Sequence, residues 1–270
     1  MGIFSFIKSG AAVVGAGVVL AGAASAQAST IIYSQTFSST AAGILTGTMP
    51  TTDTGSAKWQ FAGNTGDDWS ASGVAPSTSG GGYSSAAEYL PLTVTAGNTY
   101  TLTVTGLSPV SGTTTNWLAV GFFNGTSGNL FGGATQGPFM LLRDTGYIQA
   151  FGGPGIDYGA SFNSDNGGVG AGSYSLGGTA TVTLNATSAT TSDWPATFAY
   201  NGTTIGSITY NNTSFPPETN IGVGFLSYQS QQGSVGSLTL TETPTPEPAS
   251  LSLAGLAAGA LLLMKKRRSA

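Results

Sequence analysis

The sequence contains no cysteine and no histidine. Without histidine it lacks the commonest general base and the commonest metal-binding side chain, and without cysteine it lacks a thiolate nucleophile and any disulfide. Catalysis by a Ser–His–Asp or Cys–His arrangement is therefore excluded, and so is a zinc site built from thiolates or imidazoles.

Charge is scarce as well, since only 7% of the 270 residues are charged. Between positions 29 and 243 the only basic residues are Lys58 and Arg143, against ten acidic residues, which gives this region a net charge of −8. Nucleic-acid binding requires a basic surface. We therefore expect no nucleic-acid partner.

The first 28 residues have the pattern of a secretory signal peptide. One positive charge, Lys8, precedes an apolar stretch at 11–21 that is too short to span a bilayer comfortably. Small residues follow in the A-x-A spacing that signal peptidase recognises, at Ala24, Ala26 and Ala28. We predict cleavage after Ala26 or Ala28 and export of the rest of the chain.

The other end, 244–270, has a second membrane-directed pattern. Pro246, Glu247 and Pro248 precede an apolar stretch at 249–264. A helix of that length spans about 24 Å, short of the roughly 30 Å of a bilayer core. A cluster of cations, which stays on the cytoplasmic side of a membrane, follows at Lys265, Lys266, Arg267 and Arg268. The sequence therefore predicts a short C-terminal transmembrane helix.

This tail resembles the PEP-CTERM sorting signal. The resemblance covers about the last 25 residues and includes the Pro-Glu-Pro triplet, the apolar helix and the basic cluster, in that order. It implies that an exosortase-type membrane enzyme processes the chain. The protein would be anchored transiently in the inner membrane and then reach the cell surface or extracellular matrix of a bacterium that makes exopolysaccharide or biofilm. The alternative is a permanent single-span anchor.

Residues 29–243 show the periodicity of β-strands and none of a helix. Apolar residues alternate with threonine in short runs such as Tyr100–Thr105 and Thr181–Leu184, which is typical of strands with one buried face. Trp117–Phe123 and Met140–Leu142 are more continuously apolar, as expected for strands covered on both faces. About a dozen such strands imply two packed antiparallel sheets.

A hairpin is the clearest local prediction in this region. Asn201-Gly202 lies between two strand-like runs and favours a type I′ turn. The turn would place Phe198 opposite Ile205, and a bulge at Gly206 would explain the change of apolar parity that follows.

The order of these strands resembles a concanavalin-type jelly roll. We therefore predict an all-β ectodomain at 29–243, an antiparallel two-sheet jelly-roll-like sandwich. Helices are expected only in the signal peptide (1–28) and in the sorting tail (244–270).

An enzymatic function finds little support in the carboxylates. Glycoside hydrolysis needs two of them across a cleft. Asp67 and Asp68 are adjacent, so on a strand they would point to opposite faces. The E-x-D-x-(x)-E run of laminarinase-like enzymes on this fold is missing. We expect no enzymatic activity.

Two further groups of residues are candidate binding sites. Asp157, Asn163 and Asp165 resemble part of a calcium loop, but no glutamate completes the EF-hand spacing, and such residues also form ordinary turns. We therefore predict no cofactor, with bound calcium as the alternative. Trp69 and Trp194 each follow an aspartate in an apparent loop and could form a platform for a sugar ring, the alternative being burial under a loop.

Together these patterns favour an exported cell-surface or matrix protein with a structural or adhesive role, associated with exopolysaccharide. A carbohydrate-binding, lectin-like module is the alternative, and a secreted glycoside hydrolase is a third reading.

Overall fold

The computed structural model of this chain describes residues 28–63, 68–75, 85–108, 117–124, 138–143, 148–151, 162–163, 175–186, 193–211, 221–228 and 233–245. The predicted signal peptide up to position 27 lies outside the described residues, as does everything after 245. The predictions for Ala24, Ala26, the Pro246–Pro248 triplet and the basic cluster at 265–268 therefore stay predictions.

Every regular element among the described residues is a β-strand. The strands are β1 Thr30–Thr36, β2 Thr52–Asp53, β3 Gln60–Gly63, β4 Ser85–Leu92, β5 Asn98–Leu107, β6 Trp117–Asn124, β7 Phe139–Arg143, β8 Ile148–Phe151, β9 Phe162–Asn163, β10 Gly178–Ala186, β11 Asp193–Tyr200, β12 Thr203–Asn211, β13 Ile221–Tyr228 and β14 Ser237–Pro244. Within this part of the chain, no helix is long and apolar enough to cross a membrane.

The strands form two antiparallel sheets. Sheet 1 has the order β12-β11-β10-β5-β14-β1-β2, and sheet 2 has the order β3-β4-β13-β6-β7-β8-β9. The first and last strands, β1 and β14, pair inside sheet 1. All of them belong to one compact unit, Gln27–Thr245. The protein is thus a jelly-roll-like sandwich of two antiparallel sheets, and the predicted fold class is confirmed.

Along the strands of sheet 1, buried and half-exposed side chains alternate. On β5 the residues Tyr100, Leu102 and Val104 are at most 1% exposed and face sheet 2, whereas the threonines between them remain half-exposed. β10 repeats this pattern, and β14 follows it from Ser237 to Thr241. Burial of these apolar side chains contributes about 25 cal/mol for each Å² removed from water. Sheet 1 therefore has one buried face and one solvent face.

Sheet 2 is buried on both faces over 86–90, 118–122, 139–142 and 222–227. Its inner face joins the core between the sheets, and its outer face carries a second buried cluster made of Ala87, Ala119, Phe139, Leu141 and Leu226. The continuously apolar runs of β6 and β7 were expected to be covered on both faces, and the burial of 118–122 and 139–142 confirms this.

The hairpin between β11 and β12 has the predicted turn but a different register. Asn201 and Gly202 both have positive φ, 49° and 78°, as a type I′ turn requires. Phe198, however, pairs with Gly206 and not with Ile205. The bulge falls on Ile205, the extra residue that opposes no partner. Its side chain packs against the core, and this contact offsets the loss of strand pairing at the bulge.

An aromatic cluster fills one part of the core. The ring of Phe225 on β13 lies 4.4 Å from that of Trp69, 5.4 Å from that of Trp59 and 5.6 Å from that of Phe37, measured between centroids. Tilted and edge-on pairs at this distance add to the stabilisation that burial provides. The cluster attaches the segments before β3 and β4 to sheet 2.

Candidate functional site

The two tryptophans predicted as a sugar platform are core residues. Trp69 and Trp194 are both 0% exposed. The indole of Trp69 donates a hydrogen bond to the carbonyl of Ala86 at 2.9 Å. Trp194 lies on β11, on the same inward side as Ala196 and Phe198. A sugar ring can stack only on an exposed ring, so the platform hypothesis is wrong for both residues. The prediction took the preceding aspartates as a sign of an exposed loop, whereas both indoles occupy inward-facing positions of the sandwich.

The described residues do not test the calcium hypothesis. Asp157 and Asp165 lie outside them, and Asn163 is the last residue of the strand β9, where it pairs with Gln149. No group of three acidic side chains that could hold a metal is found in the described ranges. Calcium remains a prediction for this loop.

One pair of carboxylates does come together. The hydroxyl of Thr46 lies 2.5 Å from Asp68 Oδ1 and 2.7 Å from Glu88 Oε1. Glu88 is 0% exposed and sits between the sheets, where no sugar can reach it. A glycosidase acid must contact the glycosidic oxygen. This pair therefore does not form a hydrolytic site.

The solvent face of sheet 1 is a regular polar surface. Three neighbouring strands, β10, β5 and β14, present outward side chains that are all threonine except for one asparagine and one serine. We call this surface the threonine face. Its residues are Thr99, Thr101, Thr103, Thr105, Thr179, Thr181, Thr183, Asn185, Ser237, Thr239, Thr241 and Thr243.

The register of the three strands arranges the threonine face in straight rows. Each of the four rows takes one residue from β10, one from β5 and one from β14; of the two inner rows, we call the one made of Thr181, Thr103 and Thr239 the central row. Neighbouring strands lie about 4.8 Å apart, and alternate residues on one strand lie about 6.8 Å apart. The hydroxyls and methyls therefore repeat in two directions.

Hydrogen bonds connect the outer rows internally. Thr105 and Ser237 have their hydroxyl oxygens 2.7 Å apart, and Thr99 donates to Asn185 Oδ1 at 3.3 Å. In the part of the chain that the structure describes, the three hydroxyls of the central row have no such side-chain partner. They are available to donate and accept hydrogen bonds with a ligand.

The threonine face carries no charge. None of its residues is acidic or basic, and its side chains are neither fully buried nor fully exposed. An exposed sheet face ordinarily carries lysine and glutamate among its polar residues. Because the face offers only hydroxyls, amides and methyls, it suits an uncharged partner.

From the sequence, each threonine run could be recognised only within its own strand. Alternation with apolar residues assigned the threonines to solvent-facing positions, but could not show that three runs distant in sequence align in register. The signal was present as three T-x-T runs, at 99–105, 179–183 and 239–243. Only the pairing of β5 with both β10 and β14 turns these runs into one surface.

No protein-family model matches the sequence, and no curated protein sequence matches it either. Among solved structures, the carbohydrate recognition domain of Emp47p is similar at a TM-score of 0.46 and 14% identity, covering 77% of this chain and 94% of that one. Lectin II from Ulex europaeus has a TM-score of 0.42 and 14% identity, with coverage of 68% and 92%. The lectin from Bauhinia forficata in complex with GalNAc has a TM-score of 0.42 and 9% identity, with coverage of 81% and 99%.

Proposed function

We propose that this protein is an exported, non-catalytic carbohydrate-binding module, and that the threonine face is its binding surface for a neutral polysaccharide. The observation that carries the proposal is the in-register, uncharged array on β10, β5 and β14. This is the lectin-like alternative of the sequence analysis, and it fits an adhesive role in a polysaccharide matrix.

The chemistry of the face matches that of a polyhydroxylated chain. A threonine hydroxyl donates one hydrogen bond and accepts two, as sugar hydroxyls do. The methyl groups between the hydroxyls give small apolar contacts to the C–H groups of a sugar. A polymer with a regular repeat can engage several rows at once, so weak single contacts add up along its length.

The lack of charge determines which polysaccharides bind. An acidic polymer gains nothing from a face without cations, and the net charge of −8 over 29–243 repels it. Binding to a neutral polymer involves no ion pairs, so it should be insensitive to salt, whereas charge-driven binding weakens as the Debye length shortens.

Replacing the central hydroxyls tests the binding surface. In the triple variant Thr103→Val, Thr181→Val, Thr239→Val, the shape and the strand propensity are retained and three hydroxyls are lost. At about 1 kcal/mol for each hydrogen bond, we expect at least a tenfold loss of affinity. The measurement is retention of the full chain on immobilised dextran and galactomannan, with alginate as the acidic comparison.

The matched control replaces three exposed threonines outside the face, Thr51→Val, Thr54→Val and Thr203→Val. It should bind as the wild type does. Equal retention of both triple variants, or binding to alginate alone, would exclude the threonine face as the site.

Export and sorting complete the proposed function. Signal peptidase would remove the first 26 or 28 residues, and an exosortase-type enzyme would act on the tail. Pro248 disfavours helical geometry at Glu247, and neither proline of the triplet has a backbone N–H to donate, so we expect the triplet to be extended. A charged side chain in such a segment suits recognition by a cationic pocket.

Two tail variants should fail in different ways. Glu247→Ala should accumulate as an uncleaved, membrane-bound precursor, because the charge that the enzyme recognises is lost. Deletion of 251–270 should yield soluble released protein, because no stop-transfer segment remains. Fractionation of the host with mass spectrometry of both termini measures this. If both variants reach the surface with the wild-type terminus and yield, the tail is not a sorting signal.

A further inference from the structure

Glu88 is an acid buried in the centre of the sandwich. Its side chain is 0% exposed, on β4 beside the aromatic cluster. Oε1 accepts a hydrogen bond from the backbone N–H of Trp69 at 3.3 Å and contacts the hydroxyl of Thr46 at 2.7 Å. Oε2 is buried and has no hydrogen-bond partner among the described residues. An ionised carboxylate with one bare oxygen in such a place would be costly.

Counting hydrogens shows which group carries a proton. Thr46 Oγ1 lies 2.7 Å from Glu88 Oε1 and 2.5 Å from Asp68 Oδ1, both hydrogen-bond distances. A hydroxyl has one hydrogen, so it can donate to only one of two carboxylates. The second contact needs a hydrogen from a carboxyl group. A neutral Glu88 supplies it by donating to Thr46, which then donates to Asp68.

The surroundings place this proton on Glu88. Asp68 is only half-buried, so water stabilises its charge. The pKa of Glu88 is raised to about 8, chiefly by burial; the hydrogen-bond contacts with Thr46 and Trp69 oppose this rise in part, and the charge of Asp68 adds to it. Among the described residues, a further titratable neighbour is Tyr89, on the opposite face of β4. The flanking strands contribute Phe61 and Phe225, which do not titrate.

The proton connects separate segments of the chain. Thr46 belongs to a segment in which the N–H of Leu45 donates to the carbonyl of Trp69 at 2.7 Å and that of Gly47 to the carbonyl of Trp59 at 2.8 Å. The Glu88–Thr46–Asp68 chain thus joins this segment and the one at 68–70 to β4 of sheet 2. The threonine face does not include any of these three residues.

We propose that the proton on Glu88 is a lock between β4 and the segments around Thr46 and Asp68, and that mild alkali opens it. Once the proton leaves, two carboxylates compete for a single hydroxyl and a bare charge remains in the core. The two segments, one of which carries Trp69, then separate from sheet 2.

The pH dependence has a defined sign. Below the ordinary glutamate value of 4.5, folded and unfolded chains both carry the proton and the contribution of Glu88 is fully present. Between 4.5 and about 8 the unfolded chain releases it while the folded chain keeps it. The ratio of folded to unfolded protein then falls about tenfold per pH unit. Above about 8 the decline levels off.

Direct titration of the full-length chain in detergent tests the lock. With glutamate labelled at the side-chain carboxyl carbon, NMR should show one resonance that titrates near pH 8 and that is absent from Glu88→Gln. If every glutamate resonance titrates near 4.5, the lock is excluded. The titration itself is made on the wild type, and the variant Glu88→Gln serves only to assign the resonance.

Stability measurements give a second, independent result. Urea unfolding followed by tryptophan fluorescence should show the tenfold loss per pH unit in the wild type. In Glu88→Gln, whose amide donates to Thr46 at any pH, this component should be missing. Glu242→Gln, at a carboxylate bonded to Tyr100, is the matched control and should keep the wild-type slope. Identical slopes in the wild type and Glu88→Gln would overturn the proposal.

Discussion

Trp69→Ala is expected to destabilise the sandwich by about 4 kcal/mol, the usual cost of removing a fully buried large aromatic side chain. The indole is 0% exposed, packs 4.4 Å from Phe225 and donates to the carbonyl of Ala86. Its removal leaves a cavity and takes away the hydrogen bond to the carbonyl of Ala86. Urea denaturation of the full-length chain, followed by circular dichroism, measures the free energy of unfolding.

Met49→Ala is the control for this loss, because Met49 is a large apolar side chain that is 53% exposed. It should change the free energy of unfolding by no more than about 0.5 kcal/mol. The opposite result, with Trp69→Ala fully stable but unable to bind polysaccharide, would restore the surface platform that the burial of Trp69 excludes.

Gly224→Ala should cost about 3 kcal/mol, although it adds a single methyl group. Gly224 lies on β13 between β4 and β6, and a Cβ there would lie 2.1 Å from the carbonyl oxygen of Glu88 and 2.8 Å from the Cα of Tyr89. Both atoms are backbone, so no side-chain rotation can relieve the clash. The strands at the centre of sheet 2 would have to separate. Thermal unfolding and urea titration should both report the loss.

A matched glycine separates this clash from the general effect of replacing glycine. At Gly55 a Cβ would meet only Asp53 Oδ1, at 3.9 Å, which is ordinary contact. Gly55→Ala should therefore leave the free energy of unfolding within about 0.5 kcal/mol of the wild type. If the two alanine variants are equally stable, β13 and β4 are not packed at the distance described.

The two sheets have different roles because they differ in what covers them. Sheet 2 is covered on both faces, as the buried apolar cluster around Leu226 and Phe139 on its outer face shows. Sheet 1 buries one face and leaves the other to solvent. A long polymer can therefore lie along the outward rows of sheet 1 without displacing any described part of the protein.

Much of the local structure was predictable from the sequence, since it depends on neighbours along the chain. The alternation of Thr103 with Leu102 and Val104 identified a half-buried strand, and Asn201-Gly202 identified a tight turn. The bulge was predicted one residue too late, at Gly206 and not Ile205. Periodicity shows that a parity change occurs, but the packing of Ile205 against the core determines where.

The candidate sites were less predictable, because each depends on segments that are distant in sequence. Trp69 and Trp194 looked loop-borne, and only the packing of the two sheets shows that both are core. Glu88 stands in the run Ser85–Leu92, which could equally have turned it outward. Its burial follows from its register opposite Phe225 on β13.

The sequence alone determined that the chain is rich in strands, poor in charge and without the histidine and cysteine that Ser–His–Asp and Cys–His hydrolases need, because composition and alternation need no knowledge of partners. Tertiary structure decided the rest. It aligned three threonine runs, more than a hundred residues apart at their extremes, into one uncharged face. It also brought Thr46, Asp68 and Glu88 within hydrogen-bond distance of one another, because pairing and packing between sheets fix contacts that no local pattern specifies.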